Sequence, residues 1–373
     1  MQAETAVSPF LSDFENLSSA VPSWLDELRR QAMERFLDLG FPTTRLEDWK
    51  FTNLAPLTRQ TFPFAHSRVP TDWSQPRIEN HLARYADYRN HAFVALNTAF
   101  LDGVNLVDIS GHAAPVEIRH HATRGVSHPR NLIVVEEGAH AAIVEIYTGE
   151  GVHFTNAVTE IVCGENSIVD HYKLQIDSPE AFHISTIQVQ QARNSVFTSR
   201  SLAFGAALAR TEINAVLETG SECTLNGLYL VDGARHVDTR TTIDHAKPHA
   251  NSHELYKGIL TGTSSAVFNG KIIVRKDAQK TDAKQTNKNL VLSENASINT
   301  KPQLEIFADD VRCTHGATVG QLDADSIFYL QSRGIGRADA RTMLIEAFAR
   351  EIIDAIKIDS LRERALQLLK ENL

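Results

Sequence analysis

Cysteine is scarce in this sequence: Cys163, Cys223 and Cys313 are the three in a chain of 373 residues. An odd, widely spaced set excludes a disulfide framework and points to a reducing compartment. Basic charge is also short. The 37 Lys and Arg stand against 46 Asp and Glu, a formal charge of −9. That balance argues against a general nucleic-acid binder, which needs excess cations to displace counterions. No run approaches the ~18 uninterrupted apolar residues of a membrane span. The first twenty residues lack the basic-then-apolar order of a secretory leader. The expectation is a soluble, cytoplasmic protein without nucleic-acid or membrane partners. Apolar residues at 42% and charged residues at 22% are ordinary for a globular chain and exclude wholesale disorder.

Several chemistries lack their signatures. There is no GxxxxGK[ST] loop, no GxSxG, no HExxH and no CxxC. Gly334-Ile335-Gly336 begins like a dinucleotide fingerprint, but the third glycine position is Asp339, whose carboxylate would repel a pyrophosphate. The adjacent pairs Asp309-Asp310 and Glu136-Glu137 would point to opposite faces of a strand, so neither forms an acid–base couple.

The patterning that is present divides the chain into three. In 1–91, Leu25, Leu28, Ala32, Phe36 and Leu39 mark an amphipathic helix over 22–39, with Pro22 at its start and Gly40 at its end. Short helices and loops broken by prolines follow. From 92 to 331 helical periodicity disappears, and alternating runs recur between turn residues: LIVVEEG, AAIVEIY, FHISTIQVQ, TLNGLYLVDG, AVFNGKIIVRK, LEIFADDV, SIFYLQS. Ser195, Ala209, Cys223 and Val237 open successive runs at steps of 14 residues. Repetition over such a length favours a solenoid of strands above a sandwich or barrel. The ends of such a coil are open ladders that need a cap or a partner strand. In 332–373 helix returns, with Asp339 as the expected N-cap. Leu344, Ile345, Phe348, Ile352 and Ile356 form an apolar stripe, and a second short helix follows Asp359-Ser360. Such a tail is either a cap for the coil or a docking surface for another chain.

Two groups of residues are candidate metal ligands. His245, His249 and His253 stand four apart, but Pro248 opposes a helix, and on a strand they would be ~13 Å apart, too far to share one ion. Cys313 and His315 project to one side of a strand, ~6.6 Å apart at the backbone. A thiolate and an imidazole so placed converge on one metal, yet two ligands are half of a usual site. On spacing alone, the plainer reading is a small core cysteine beside an unrelated histidine. Cys163 and Cys223 read as buried core residues.

Longer strings are more specific. Arg45-Leu-Glu47-Asp48-Trp49-Lys50-Phe51-Thr52, Ser252-His253-Glu254-Leu255-Tyr256-Lys257-Gly258, Phe268-Asn269-Gly270-Lys271 and Gln285-Thr286-Asn287-Lys288-Asn289-Leu290 stand in order. Lys301-Pro302-Gln303-Leu304-Glu305-Ile306, Cys313-Thr314-His315-Gly316-Ala317-Thr318-Val319-Gly320 and Phe328-Tyr329-Leu330-Gln331-Ser332-Arg333-Gly334-Ile335 follow. Together they resemble the SufB/SufD family of iron–sulfur cluster assembly proteins, and its SufD branch more closely. The resemblance implies a right-handed parallel β-helix flanked by helical segments. It implies a non-catalytic scaffold that pairs with a SufB-like subunit through the open coil end. It also implies docking to a SufC-like ABC ATPase through the C-terminal helices, with Ile345, Phe348, Ile352 and Ile356 as the expected contact. ATP hydrolysis would then belong to SufC. His315, and after it Cys313, are the expected contribution to a transient iron–sulfur cluster or iron site shared with SufB. A reduced flavin in the complex is a weaker implication, and no tightly held cofactor is expected on the isolated chain. A homodimer is the alternative when SufB is absent. Two rival readings are a purely structural partner of SufB and a β-helix carbohydrate-active enzyme, the latter lacking a groove of clustered carboxylates.

Overall fold

The structure, a computed structural model, describes residues 2–17, 21–67 and 69–373. Strands numbered along the chain form two parallel sheets. The first stacks β1 (Asn105–Ile109), β4 (Arg130–Val135), β6 (His153–Cys163), β8 (Phe182–Gln191), β10 (Leu208–Leu217), β12 (His236–His245), β14 (Ser265–Val274) and β16 (Ser297–Ile306), with β3 (Gly125–Ser127) beside β6. The second stacks β2 (Val116–Ala122), β5 (His140–Gly149), β7 (Ile168–Ile176), β9 (Val196–Ala203), β11 (Glu222–Val231), β13 (Asn251–Leu260), β15 (Asp282–Val291) and β17 (Arg312–Gly320). From β4 onward the chain alternates between the sheets, so each turn of this parallel β-helix adds one rung to both. The 14-residue step of the sequence is therefore half a turn.

Register explains why the coil holds. Val107, Ile133, Ile161, Val189, Ala215, Ile243, Ile272 and Leu304 are successive partners through the first sheet and form one continuous aliphatic column. Branched side chains suit a pleated surface, and each lies on its equivalent one rung away. Fully burying one of its Val or Ile side chains contributes about 1.5–3 kcal/mol by transfer reasoning, as an upper bound. Across β11 and β13, Gly227 pairs with Tyr256 and Tyr229 with Gly258. Each glycine leaves room for the other strand's ring: a Cβ at Gly227 would stand 2.1 Å from Tyr256 Cε1. A Gly227→Ala substitution is therefore expected to destabilise the chain by about 1–3 kcal/mol through overpacking, measured as a shift in urea midpoint. An unchanged midpoint would show that the ring moves freely.

Helices cover both outer faces. α1 (Gln2–Glu15) and α2 (Ser23–Leu39) precede short α3 (Ala55–Thr58) and α4 (Pro76–His81). Then α5 (Ala92–Ala99) packs against the first sheet, with Phe93 and Trp49 sharing a cluster with Val158, Phe182, Ile184 and Leu208. As read from sequence, α2 starts after Pro22 and stops at Gly40, whose φ is +60°. α5 falls where no helix was expected. Every one of its residues is buried, so it has no polar face to mark a period. SIFYLQS is not a strand but lies in α6 (Ala324–Ser332), whose start is fixed by Asp323 accepting from the N–H groups of Asp325 and Ser326. α7 (Arg337–Ile353) begins two residues before the expected cap, so Asp339 sits in its first turn instead. α8 (Asp359–Glu371) closes the chain.

Candidate functional site at the open coil end

β16 and β17 are the terminal rung, each paired on one side only. Pro302 is tolerated in β16 because the strand is an edge. Inward-facing positions of β17 alternate with outward ones, and Cys313 fixes the phase by packing against Ile272, Val274, Ala278, Ala283 and Ala308. His315, two residues on, shares that inward face but is exposed because no further rung covers it. Partial burial, with Asp282 nearby, pushes the Cys313 thiol above its ordinary pKa. Among the described residues no group of three or more His, Cys, Asp or Glu side chains is placed to hold a metal. The geometry is a pair of donors on one face of an uncapped coil, rimmed by exposed Ile306, Phe307 and Val319.

Beneath His315 the inner wall of the second sheet is polar. His315 is in register with Gln285, and Gln285 with Glu254. Gln285 Nε2 donates to Glu254 Oε2 at 2.7 Å. Burial pushes the Glu254 carboxyl up to about 7. Opposite them stands Gly270, where a Cβ would come within 2.1 Å of Gln285 Nε2 and 3.1 Å of Glu254 Oε2. Five of the sequence strings thus each place one residue in one patch of the coil interior, with Glu254, Gln285 and His315 stacked on one wall and Gly270 and Pro302 on the other. Glu254 and Gln285 were not singled out from sequence, since a polar residue in an alternating run looks the same whether it faces in or out.

The C-terminal stripe has a different place from the one expected. Ile345, Ile352 and Ile356 are 6%, 0% and 1% exposed, and pack with Leu228, Leu230 and Ile259 on the outer face of the second sheet. Phe348 is half-buried, with the Lys257 ammonium 4.4 Å from its ring centroid. These residues are core and do not form a free surface, because the outer face of that sheet is itself apolar and needs a cover. Exposed apolar residues of this region include Phe328 (72%), Tyr329 (57%) and Met343 (48%), and α6 buries none of its residues.

The RLEDWKFT string fastens the N-terminal segment to the first sheet. Arg210, 1% exposed, donates to Glu212, Asp238 and the Asp48 carbonyl, and its guanidinium lies 3.6 Å from the Trp49 ring centroid. Thr52 Oγ1 donates to Asp238 at 2.6 Å, Arg240 pairs with Asp48 at 2.7 Å, and Lys301 pairs with Glu47. The histidine series does not converge. His245 is buried at the end of β12, His249 sits in a turn with φ +64°, and His253 faces solvent from β13. Cys163 and Cys223 are buried in the coil, and burial raises both thiols.

Residues 118–348 match the family model described as SUF system FeS cluster assembly, SufBD core domain, and residues 4–77 match the SufBD protein N-terminal region. An iron-sulfur cluster assembly SufBD family protein of Synechocystis is 38% identical over 78% of this chain and 68% of its own length. The iron-sulfur cluster assembly protein SufD of Escherichia coli is 31% identical over 92% of both chains. The chloroplastic protein ABCI7 of Arabidopsis thaliana is 34% identical over 66% of this chain and 53% of its own. With both parts matched in chain order around a coil of the expected kind, this chain belongs to the SufBD family of iron–sulfur cluster assembly proteins, and is SufD-like.

Proposed function

We propose that the chain is a non-catalytic scaffold subunit that supplies part of a ligand set for nascent iron–sulfur clusters. The observation that carries this reading is the placement of His315 and Cys313 on the inward face of the last strand of an uncapped coil. No third donor accompanies them among the described residues. A SufB-like subunit seated on that end would complete both the strand ladder and the coordination sphere. A cluster usually takes four ligands, so two from each side is the simplest division. Neutral imidazole and thiolate are suitable donors to iron.

The ATPase-coupling part of the proposal shifts to α6 and the exposed side of α7. Truncating the tail would uncover the apolar outer face of the second sheet, because α7 and α8 are part of the core. Phe328, Tyr329 and Met343 are the surface a SufC-like ATPase would use. Two substitutions test the reading in a complex co-purified with SufB-like and SufC-like subunits. His315→Ala is expected to cut iron and sulfide content about tenfold or more with assembly intact, by analogy with loss of a metal-site residue. Unchanged content would remove His315 from the site. Phe328→Ala is expected to weaken ATPase binding by about 2 kcal/mol, as for a central aromatic anchor. Unaltered affinity by calorimetry would place the ATPase elsewhere.

A further inference from the structure

We propose that Gln285, itself held by Glu254, is a positioning residue that fixes the orientation of the His315 ring at the open coil end. The inference deepens the reading of His315 as a cluster ligand and rests on it for its functional consequence, though not for its geometry. Three observations support it. Strand register stacks His315 on Gln285 and Gln285 on Glu254, with neighbouring strands roughly 4.8 Å apart. Gln285 is 1% exposed, and its amide is oriented by its bond to Glu254 Oε2. One amide N–H is thereby given to Glu254, while Oε1 is buried and accepts no hydrogen bond. An acceptor left open is costly unless something donates to it. The imidazole one rung out, on the same inward face, carries a ring N–H, the donor proposed for that oxygen.

The opposite wall holds the relay in place. Gly270 leaves the space into which Gln285 and Glu254 extend, and any side chain there would displace the amide. Pro302, in register with Gly270, faces the level of His315 with a ring that offers no hydrogen bond. Gln285 Oε1 is thus a fixed acceptor on the wall from which His315 projects. An imidazole that donates one ring nitrogen to an amide oxygen has its tautomer set, and presents the other nitrogen with its lone pair outward. That is the orientation a ligand needs toward a cluster in the space beyond the last rung.

The test reads the ring directly. The chain is labelled with ¹⁵N-histidine, and the His315 signals are assigned by their loss in His315→Ala. In the unaltered chain the two ring nitrogens are expected to report one tautomer. In Gln285→Met, which keeps length but removes the acceptor, they are expected to move toward the averaged values of a free imidazole. Gln285→Glu, which restores an acceptor oxygen, is expected to return them. Should Gln285→Met fail to fold, Gln285→Asn withdraws the oxygen by one methylene and carries the same expectation. In the assembled complex Gln285→Met is expected to lower cluster content about tenfold, the usual scale for a residue behind a metal ligand, with recovery in Gln285→Glu. Ring signals indistinguishable between the unaltered chain and Gln285→Met would overturn the positioning role. Separation from the parent reading is clean. If His315→Ala leaves cluster content unchanged, the ligand assignment fails while the ring signals still decide the positioning. If His315→Ala abolishes the cluster but Gln285→Met alters neither signal nor content, the positioning fails alone.

Discussion

Arg210→Met is expected to destabilise the folded chain by about 3–5 kcal/mol, the range for breaking a buried ion pair by removing one partner. The guanidinium is enclosed by Glu212 and Asp238 and lies against the face of Trp49. Its removal leaves the Asp238 carboxylate, 1% exposed, with Thr52 as its hydroxyl donor and Arg240 Nε 3.6 Å away. The Asp48 carbonyl loses its donor as well. Arg210→Lys would recover only part, since an ammonium cannot serve two carboxylates and a carbonyl in one plane. Urea denaturation followed by tryptophan fluorescence reads the result, because Trp49 covers the substituted side chain. A loss below about 1 kcal/mol, the scale of an exposed ion pair, would show that the cluster is not what fastens the N-terminal segment.

The second large effect depends on pH. Glu254 titrates at about 7 in the folded chain against an ordinary 4.5, because burial disfavours its charge. The folded state therefore holds this proton more tightly than the unfolded chain does. Stability from this group is complete below about pH 4.5 and is lost as pH rises through about 7. At ~1.4 kcal/mol per unit the loss is on the order of 3 kcal/mol. Glu254→Gln keeps the shape and cannot ionise, so its stability relative to the parent chain is expected to rise by that order between pH 4.5 and pH 8. Paired denaturation curves at the two pH values measure it. A difference that does not change with pH would mean that water or a counter-charge already solvates the carboxylate.

The coil was legible in the sequence because a strand facing both core and solvent must alternate, and turn residues separate the runs. Cys313 and His315 were legible as a pair for the same reason: residues two apart share a face. What lay hidden was whatever depends on a neighbour distant in sequence. α5 has no polar face and therefore no period. The Ile345, Ile352 and Ile356 stripe is the same string whether it meets another chain or the back of β11 and β13. Glu254 and Arg210 look like ordinary polar residues of alternating strands. Only strand order reveals that one lies inside the coil and the other beneath Trp49.

The fastening of the N-terminal segment has a mechanical consequence. Glu47, Asp48 and Thr52 lie within a few residues of one another, yet they grip β16, β12 and, through Asp238 and Arg210, β10. The segment thus works as a splint laid along one flank of a rod, crossing several rungs and resisting torsion between them. The other flank carries α7 and α8 on an apolar contact, with Glu351 bridging Lys257 of β13 and Lys288 of β15, and Lys357 paired with Asp170 of β7. Torsion between neighbouring rungs therefore works against ties on both flanks, polar on one and mainly apolar on the other.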